Sequence, residues 1–163
     1  MLHSLGVGVR AAFLSQRARR QRFAWPVTLT TPVVASRGLA GGAETVALRA
    51  IRRADAQAWY ALRLADAARL SPWEATLPAG SPETLRSFST YAHEQNRLAH
   101  RGMAMPFVVE VDGALAGQVT AAPIHWDALS SASVGYWIGS HWEGRGVMAL
   151  SVAMVLDHLL GPE

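Results

Sequence analysis

Ser133-Val-Gly-Tyr-Trp-Ile-Gly-Ser-His-Trp-Glu-Gly-Arg-Gly-Val-Met148 reads as an apolar strand, a turn spaced by glycines and the opening of a long apolar helix. Backbone N–H groups in the first turn of a helix have no intrahelical partner, and the helix dipole adds partial positive charge, so an anion can dock there. Gly144 and Gly146 remove the Cβ atoms that would hold a phosphate away, and they allow positive φ. The spacing is Gly-x-Gly. It lacks the third glycine of the dinucleotide fingerprint and the Gly-Lys-Ser/Thr of a P-loop, so it matches neither of those nucleotide cradles. From residues alone it is an anion cradle or an ordinary strand-to-helix turn.

Outward from that turn, the chain alternates strands and helices as a sheet covered by helices does. Trp25–Thr30 is a short extended segment, and Val46–Ile51 reads as the first core strand. Ala54 to about Ala68 reads as a helix with Ala58, Trp59, Leu62 and Ala65 on one face, broken by Ser71-Pro72. A second helix is expected from a Ser81 cap, with Pro82 at the first helical position, Glu83 near the positive dipole end, and Leu85, Phe88, Tyr91, Ala92, Gln95 and Leu98 repeating at helical spacing. Met105–Val111 and Ala114–Ile124 flank Asp112-Gly113, a two-residue hairpin signal. Strand Ser133–Ile138 follows a loop holding Trp126 and Asp127, and the last helix runs from about Gly146 to Leu160, stopped by Gly161-Pro162.

Composition narrows the function classes. A chain of 163 residues that is 50% apolar is one domain by length and can bury a core. It has no cysteine, which removes disulfides, thiolate metal sites and a cysteine nucleophile, and fits a reducing cytosol. His3, His93, His100, His141 and His158 have no metal-ligand spacing, so no metal is expected. Residues 1–43 carry about +6 and the remainder about −3, so the high pI belongs to the start of the chain. Residues 1–24 are therefore read as a basic leader and 25–163 as the folded domain. The run Arg17-Ala-Arg-Arg-Gln-Arg22 is a solvated leader or an RNA- or lipid-contacting arm. No apolar run approaches the ~18 residues of a membrane span, and a cytoplasmic location is expected. The tryptophans are scattered singly, without the basic–aromatic interleaving of a nucleic-acid platform, and no DNA partner is expected.

His141-Trp-Glu-Gly144-Arg-Gly146 resembles the acyl-CoA-binding motif of the GNAT acetyltransferases, Gln/Arg-x-x-Gly-x-Gly/Ala, with His141 departing from the usual first residue. Gly135-Tyr-Trp-Ile-Gly139, Ser71-Pro-Trp-Glu74, and Asp112-Gly113 with Gly117-Gln118 are similar to the RimJ/RimL branch, the ribosomal-protein-alanine N-acetyltransferases, over about Trp25 to the last residue. The resemblance implies a mixed α/β (α+β), mainly antiparallel sheet with helices on both faces. It also implies acetyl-CoA as co-substrate and a protein N-terminal amine, of a ribosomal protein for instance, as acceptor. In that family further strands follow the last helix found here, so the chain is expected to lack the C-terminal strands and to expose one side of Val134–Ile138. An open apolar edge of that kind invites self-association.

What the resemblance implies for the site is as follows. A backbone N–H around Trp137 or Ile138 meets the acetyl carbonyl, and amides of Glu143, Gly144, Arg145, Gly146, Val147 and Met148 hold the pyrophosphate, with Arg145 adding charge. Glu74 is the first candidate for a catalytic or substrate-anchoring carboxylate, and His125 (beside Asp127) and Tyr136 are the other catalytic candidates. Tyr136 and Trp137 are adjacent in a strand and face opposite sides of the sheet. Two functions stay open: an N-acetyltransferase working by direct amine attack on the thioester, and a catalytically incomplete CoA-binding remnant.

Overall fold

The computed structural model describes residues 24–32, 43–73, 87–126 and 131–160. Within them one sheet of five antiparallel strands runs in chain order: β1 (Thr28–Pro32), β2 (Thr45–Ala50), β3 (Met105–Val111), β4 (Ala114–His125) and β5 (Ser131–Ile138). Helices α1 (Ala56–Ala65), α2 (Ala67–Leu70) and α3 (Phe88–His100) lie between β2 and β3, and α4 (Val147–Leu160) follows β5. The mixed α/β architecture with a mainly antiparallel sheet is the one expected.

Alternation along the strands builds two cores. Leu48, Phe107, Val109, Val119 and Ala121 pack with Val147 and Val155 of α4, whereas Val108, between Phe107 and Val109, packs with Ile51, Phe88 and Ala92, joined by Trp59 and Tyr91. Burial on α4 falls on Val147, Ser151 and Val155, a stripe at intervals of four, and the Ser151 hydroxyl, with no water to meet, donates to the Val147 carbonyl at 2.9 Å. Asp112 and Gly113 both have positive φ, 48° and 81°, as a tight two-residue hairpin requires. The Asp112 carboxylate also accepts from the backbone N–H groups of Glu44 and Thr45, pinning the start of β2.

Two helix boundaries differ from the expectation. The helix anticipated over 54–68 is a 3₁₀ turn at Arg53–Asp55, then α1, a break at Asp66, and α2. The break has a reason, since Asp66 turns its carboxylate to partners across the fold, described below. The second helix begins at Phe88, capped by an extended Ser87 whose hydroxyl accepts from the Thr90 N–H at 3.2 Å. The cap anticipated at Ser81-Pro82-Glu83 lies outside the described residues, as do Asp127 and Gly161-Pro162.

A buried ionic cluster fastens α1 to the sheet. The Arg49 guanidinium of β2 donates to both oxygens of Asp55, at 2.9 and 2.8 Å, and to Glu110 of β3 at 2.7 Å, while Asp55 also accepts from the Arg52 N–H. Burial is the largest influence on Asp55 and pushes its carboxyl up, but the bonds from Arg49 and Arg52 together outweigh it and hold the group below the usual carboxylate range.

Candidate functional site

The chain from β5 into α4 makes the centre of the site. Ser140–Trp142 is a 3₁₀ turn, Gly144 and Gly146 take φ of 69° and 75°, and α4 starts at Val147. The first helical bond is Leu150 N–H to the Gly146 carbonyl, so the amides of Val147, Met148 and Ala149 have no intrahelical acceptor. Two of the amides expected to hold an anion have partners: Glu143 N–H donates to the Ser140 carbonyl, and Arg145 N–H reaches the Trp142 carbonyl at 3.4 Å. Gly144, Gly146, Val147 and Met148 remain, with Ala149 added. The Arg145 guanidinium lies 5.3 Å from the centroid of the Trp142 ring, which keeps a cation beside the turn.

Register fixes which β5 amides are available. Gly139 N–H bonds the Ala116 carbonyl at 2.8 Å, and opposed residues in an antiparallel ladder alternate between a bonded and a non-bonded pair. Trp137, opposite Gln118, therefore turns its amide into the ladder, while Tyr136, opposite Val119, and Ile138, opposite Gly117, turn theirs to the open side of β5. Of the two amides expected near an acetyl carbonyl, Ile138 has the outward N–H and Trp137 does not. Gly117 is what lets β5 sit so close, because a Cβ there would press on the Trp137 carbonyl oxygen and lie 2.9 Å from the Ile138 Cα.

A buttress from α2 holds this corner, and nothing in the sequence reading pointed to it. Asp66, 9% exposed, accepts from the Ser140 N–H at 2.6 Å and from the Arg69 guanidinium at 2.8 Å. Arg69 donates also to the Ile138 carbonyl at 2.5 Å, and its Nε lies 3.7 Å from the Glu143 carboxylate. The bond from Arg69 acts most strongly on Asp66 and, with those from Ser140, outweighs desolvation to hold its carboxyl below the usual range. Beside it a cavity of about 800 Å³ runs along the open side of β5, with Arg63, Arg69, Trp73, Trp137, Ile138 and Glu143 in its wall.

A second cavity, of about 510 Å³, lies on the α1/α3 face of β4 and β5 and shares Arg63, Tyr136 and Trp137 with the first. Arg63 lies over the rings of Trp59 and Trp137, at 4.7 and 5.4 Å. Below it, Gln118, 5% exposed, joins Trp59, Tyr91 and Thr120 by hydrogen bonds.

Of the three catalytic candidates, the two within the described residues, His125 and Tyr136, are not brought together. Glu74 lies outside the described residues. His125 is exposed and pairs with Ser131, five residues along β5 from Tyr136, or about 16 Å at strand rise. Tyr136 is 61% exposed, on the face opposite Trp137. Among the described residues no group of three or more His, Cys, Asp or Glu is placed to hold a metal, and no helix is long and apolar enough to cross a membrane.

The family model described as "Acetyltransferase (GNAT) domain" matches residues 45–161. Among solved structures, the chain is similar to Mycobacterium smegmatis RimJ in complex with CoA-disulfide, at 35% identity and TM-score 0.69, covering 83% of this chain and 62% of that one. It shares its fold with the Salmonella typhimurium acetyltransferase that modifies the N-terminal serine of ribosomal protein L7/L12 (22% identity, TM-score 0.58, 72% of this chain and 64% of that one). The Vibrio fischeri ribosomal-protein-S5-alanine acetyltransferase is similar too (23%, TM-score 0.58, 69% and 62%). The chain thus spans somewhat less than two thirds of the length of these relatives. No curated protein matches it significantly.

Proposed function

This chain belongs to the GNAT acetyltransferase family, and from that premise we propose that it binds acetyl-CoA and transfers the acetyl group to the N-terminal amine of a protein, of the ribosomal-protein type. The observation that carries the reading is a junction: α4 starts with amides that have no intrahelical acceptor, and four residues before that start, at Glu143, the turn is reached by a cavity beside β5, where Ile138 turns its N–H outward. A diphosphate fits the first feature by charge and by the absence of Cβ atoms at Gly144 and Gly146. A pantetheine arm fits the second, because it carries amides that can add hydrogen bonds to a strand edge.

Acetyl-CoA supplies an activated thioester, on which an amine displaces the thiolate without a covalent enzyme intermediate. The chain's part is positioning and electrostatics. Gly144, Gly146, Val147 and Met148 amides with Arg145 hold the diphosphate, and the Ile138 N–H meets the carbonyl oxygen as negative charge grows on it; the second cavity, which meets the first at Trp137, is the acceptor side, walled by Trp59 and Trp137. Among the described residues no carboxylate lines the acceptor-side cavity, so the amine enters already neutral or loses its proton to Glu74 or to water. Tyr136 and His125 are not needed by this scheme.

That no carboxylate lines the acceptor-side cavity among the described residues favours a second reading, a CoA-binding module without turnover. One experiment separates them. Calorimetric titration with CoA and acetyl-CoA tests binding, and free-thiol release with Ala-starting peptides tests transfer. Both positive supports the enzyme; binding without thiol release supports the module; no binding removes both.

A further inference from the structure

The acceptor-side cavity has a fixed hydrogen-bond polarity. The Trp59 indole N–H can only donate, so the Gln118 atom it meets at 2.9 Å is the carbonyl Oε1. The other end of Gln118 is then its NH₂ group, a donor of two protons, which go to the Tyr91 hydroxyl oxygen at 2.7 Å and the Thr120 hydroxyl oxygen at 3.2 Å. Both hydroxyls are thereby acceptors toward Gln118, and each keeps its own proton for another partner. An accepted hydrogen bond also makes a hydroxyl a better donor. Both oxygens lie within hydrogen-bonding distance of one nitrogen, close enough to each other to serve one ligand group, and both residues line the cavity. Gly135, opposite Thr120, leaves the adjacent wall without a side chain, and Arg63 lies over Trp137 in the lining.

We propose that this cavity is an oxygen-recognising subsite for the acceptor, in which the Tyr91 and Thr120 hydroxyls donate to carbonyl or carboxylate oxygens of its first residues, and which disfavours a cationic side chain next to the acceptor amine. The proposal rests on the transferase reading for the identity of the acceptor and adds what that acceptor must present. Gln118, nearly buried beneath them, sets the direction in which the two hydroxyls donate.

The test is a set of titrations on the whole chain, read by the fluorescence of Trp59 and Trp137, with the tripeptide amides Ala-Glu-Ala, Ala-Ala-Ala and Ala-Lys-Ala, and in parallel a calorimetric titration with CoA. The expected order of affinity is Glu over Ala over Lys, with about tenfold between the ends from charge and hydrogen bonding together. Tyr91→Phe and Thr120→Val are each expected to weaken the Glu peptide about three- to tenfold, as loss of a charge-assisted bond does, and to leave the CoA affinity within about twofold. A Lys peptide that binds as tightly as the Glu peptide to the unaltered chain overturns the proposal, whatever the variants do. Variants that bind the Glu peptide undiminished overturn it too. CoA binding without binding of any peptide refutes the subsite and leaves the cofactor reading standing; peptide binding in the expected order without CoA binding does the reverse; binding of neither refutes both.

Discussion

Replacing Asp66 by alanine removes the acceptor that joins α2 to the turn. Two bonds are lost, from the Ser140 N–H at 2.6 Å and from the Arg69 guanidinium at 2.8 Å, both to one oxygen of a nearly buried carboxylate. The backbone N–H bond to a charged acceptor contributes about 1.5–2 kcal/mol. The ion pair contributes less, about 0.5–1 kcal/mol, because the Arg69 side chain is 35% exposed and water screens it. The expected loss is about 2–3 kcal/mol, which at this size lowers Tm by about 5–10 °C. Asp66→Asn keeps an oxygen for Ser140 and loses only charge, so about 1 kcal/mol is expected. Function responds separately. Ser140 opens the 3₁₀ turn that leads to Gly144, and Arg69 holds the Ile138 carbonyl, so loosening the pair lets the turn and the strand end shift together. The CoA Kd is expected to rise about tenfold in Asp66→Ala. Thermal melts and calorimetry check both numbers. An unchanged Tm with unchanged CoA affinity would refute the buttress; a lowered Tm with unchanged affinity would leave it a purely structural contact.

Gly146→Ala places a Cβ on a residue at φ 75°, which costs about 1–2 kcal/mol, and should weaken CoA more than it lowers Tm; equal CoA affinity by calorimetry would count against the turn as a phosphate cradle. Gly117→Ala pushes a Cβ into the Trp137 and Ile138 backbone, which no rotamer change relieves, so a loss of at least about 2 kcal/mol in urea unfolding is expected, with a displaced Trp137 signal in near-UV circular dichroism. Asp55→Ala leaves Arg49 with one carboxylate instead of two and should cost about 3–4 kcal/mol; a loss below 1 kcal/mol would contradict the cluster's role. Asp55 and Asp66 are both held below the usual carboxylate range in the fold, so their stabilisation is complete above the unfolded value of about 3.9 and is lost as pH falls through the lower folded values. Urea midpoints between about pH 6 and pH 2 should therefore fall below about pH 4, and less steeply in Asp55→Ala.

The features legible in the sequence are those whose cause is local. Asp112-Gly113 needs only its own two φ angles, and the run from Gly146 to Leu160 is apolar enough to be a packed helix wherever it lands. The turn was readable for the same reason, since a helix start with glycines offers its amides without help from elsewhere. Asp66 and Arg69 looked like any i,i+3 pair on a helix surface, and their meaning comes from Ser140, 74 positions away from Asp66. Gln118 did leave a signal, a long polar side chain between Gly117 and Val119 in a mostly apolar strand, but its partners Trp59 and Tyr91 sit on two separate helices. The cap at Ser87 offers only its hydroxyl as a local signal, fewer than the three at Ser81-Pro82-Glu83, which lie outside the described residues. Which β5 amide faces outward depends on the register of the ladder, and register is a property of pairs of strands.

The two cavities share a wall in Arg63, Tyr136 and Trp137. Whatever an occupant of one cavity does to the side chains of Arg63 and Trp137, the occupant of the other meets as a changed surface, and thermodynamic linkage makes the effect mutual: if CoA alters peptide affinity by some factor, the peptide alters CoA affinity by the same factor. The party wall around Trp137 thus makes order of addition a measurable property of the chain, since a ligand that settles the indole first spares the second the work of doing so.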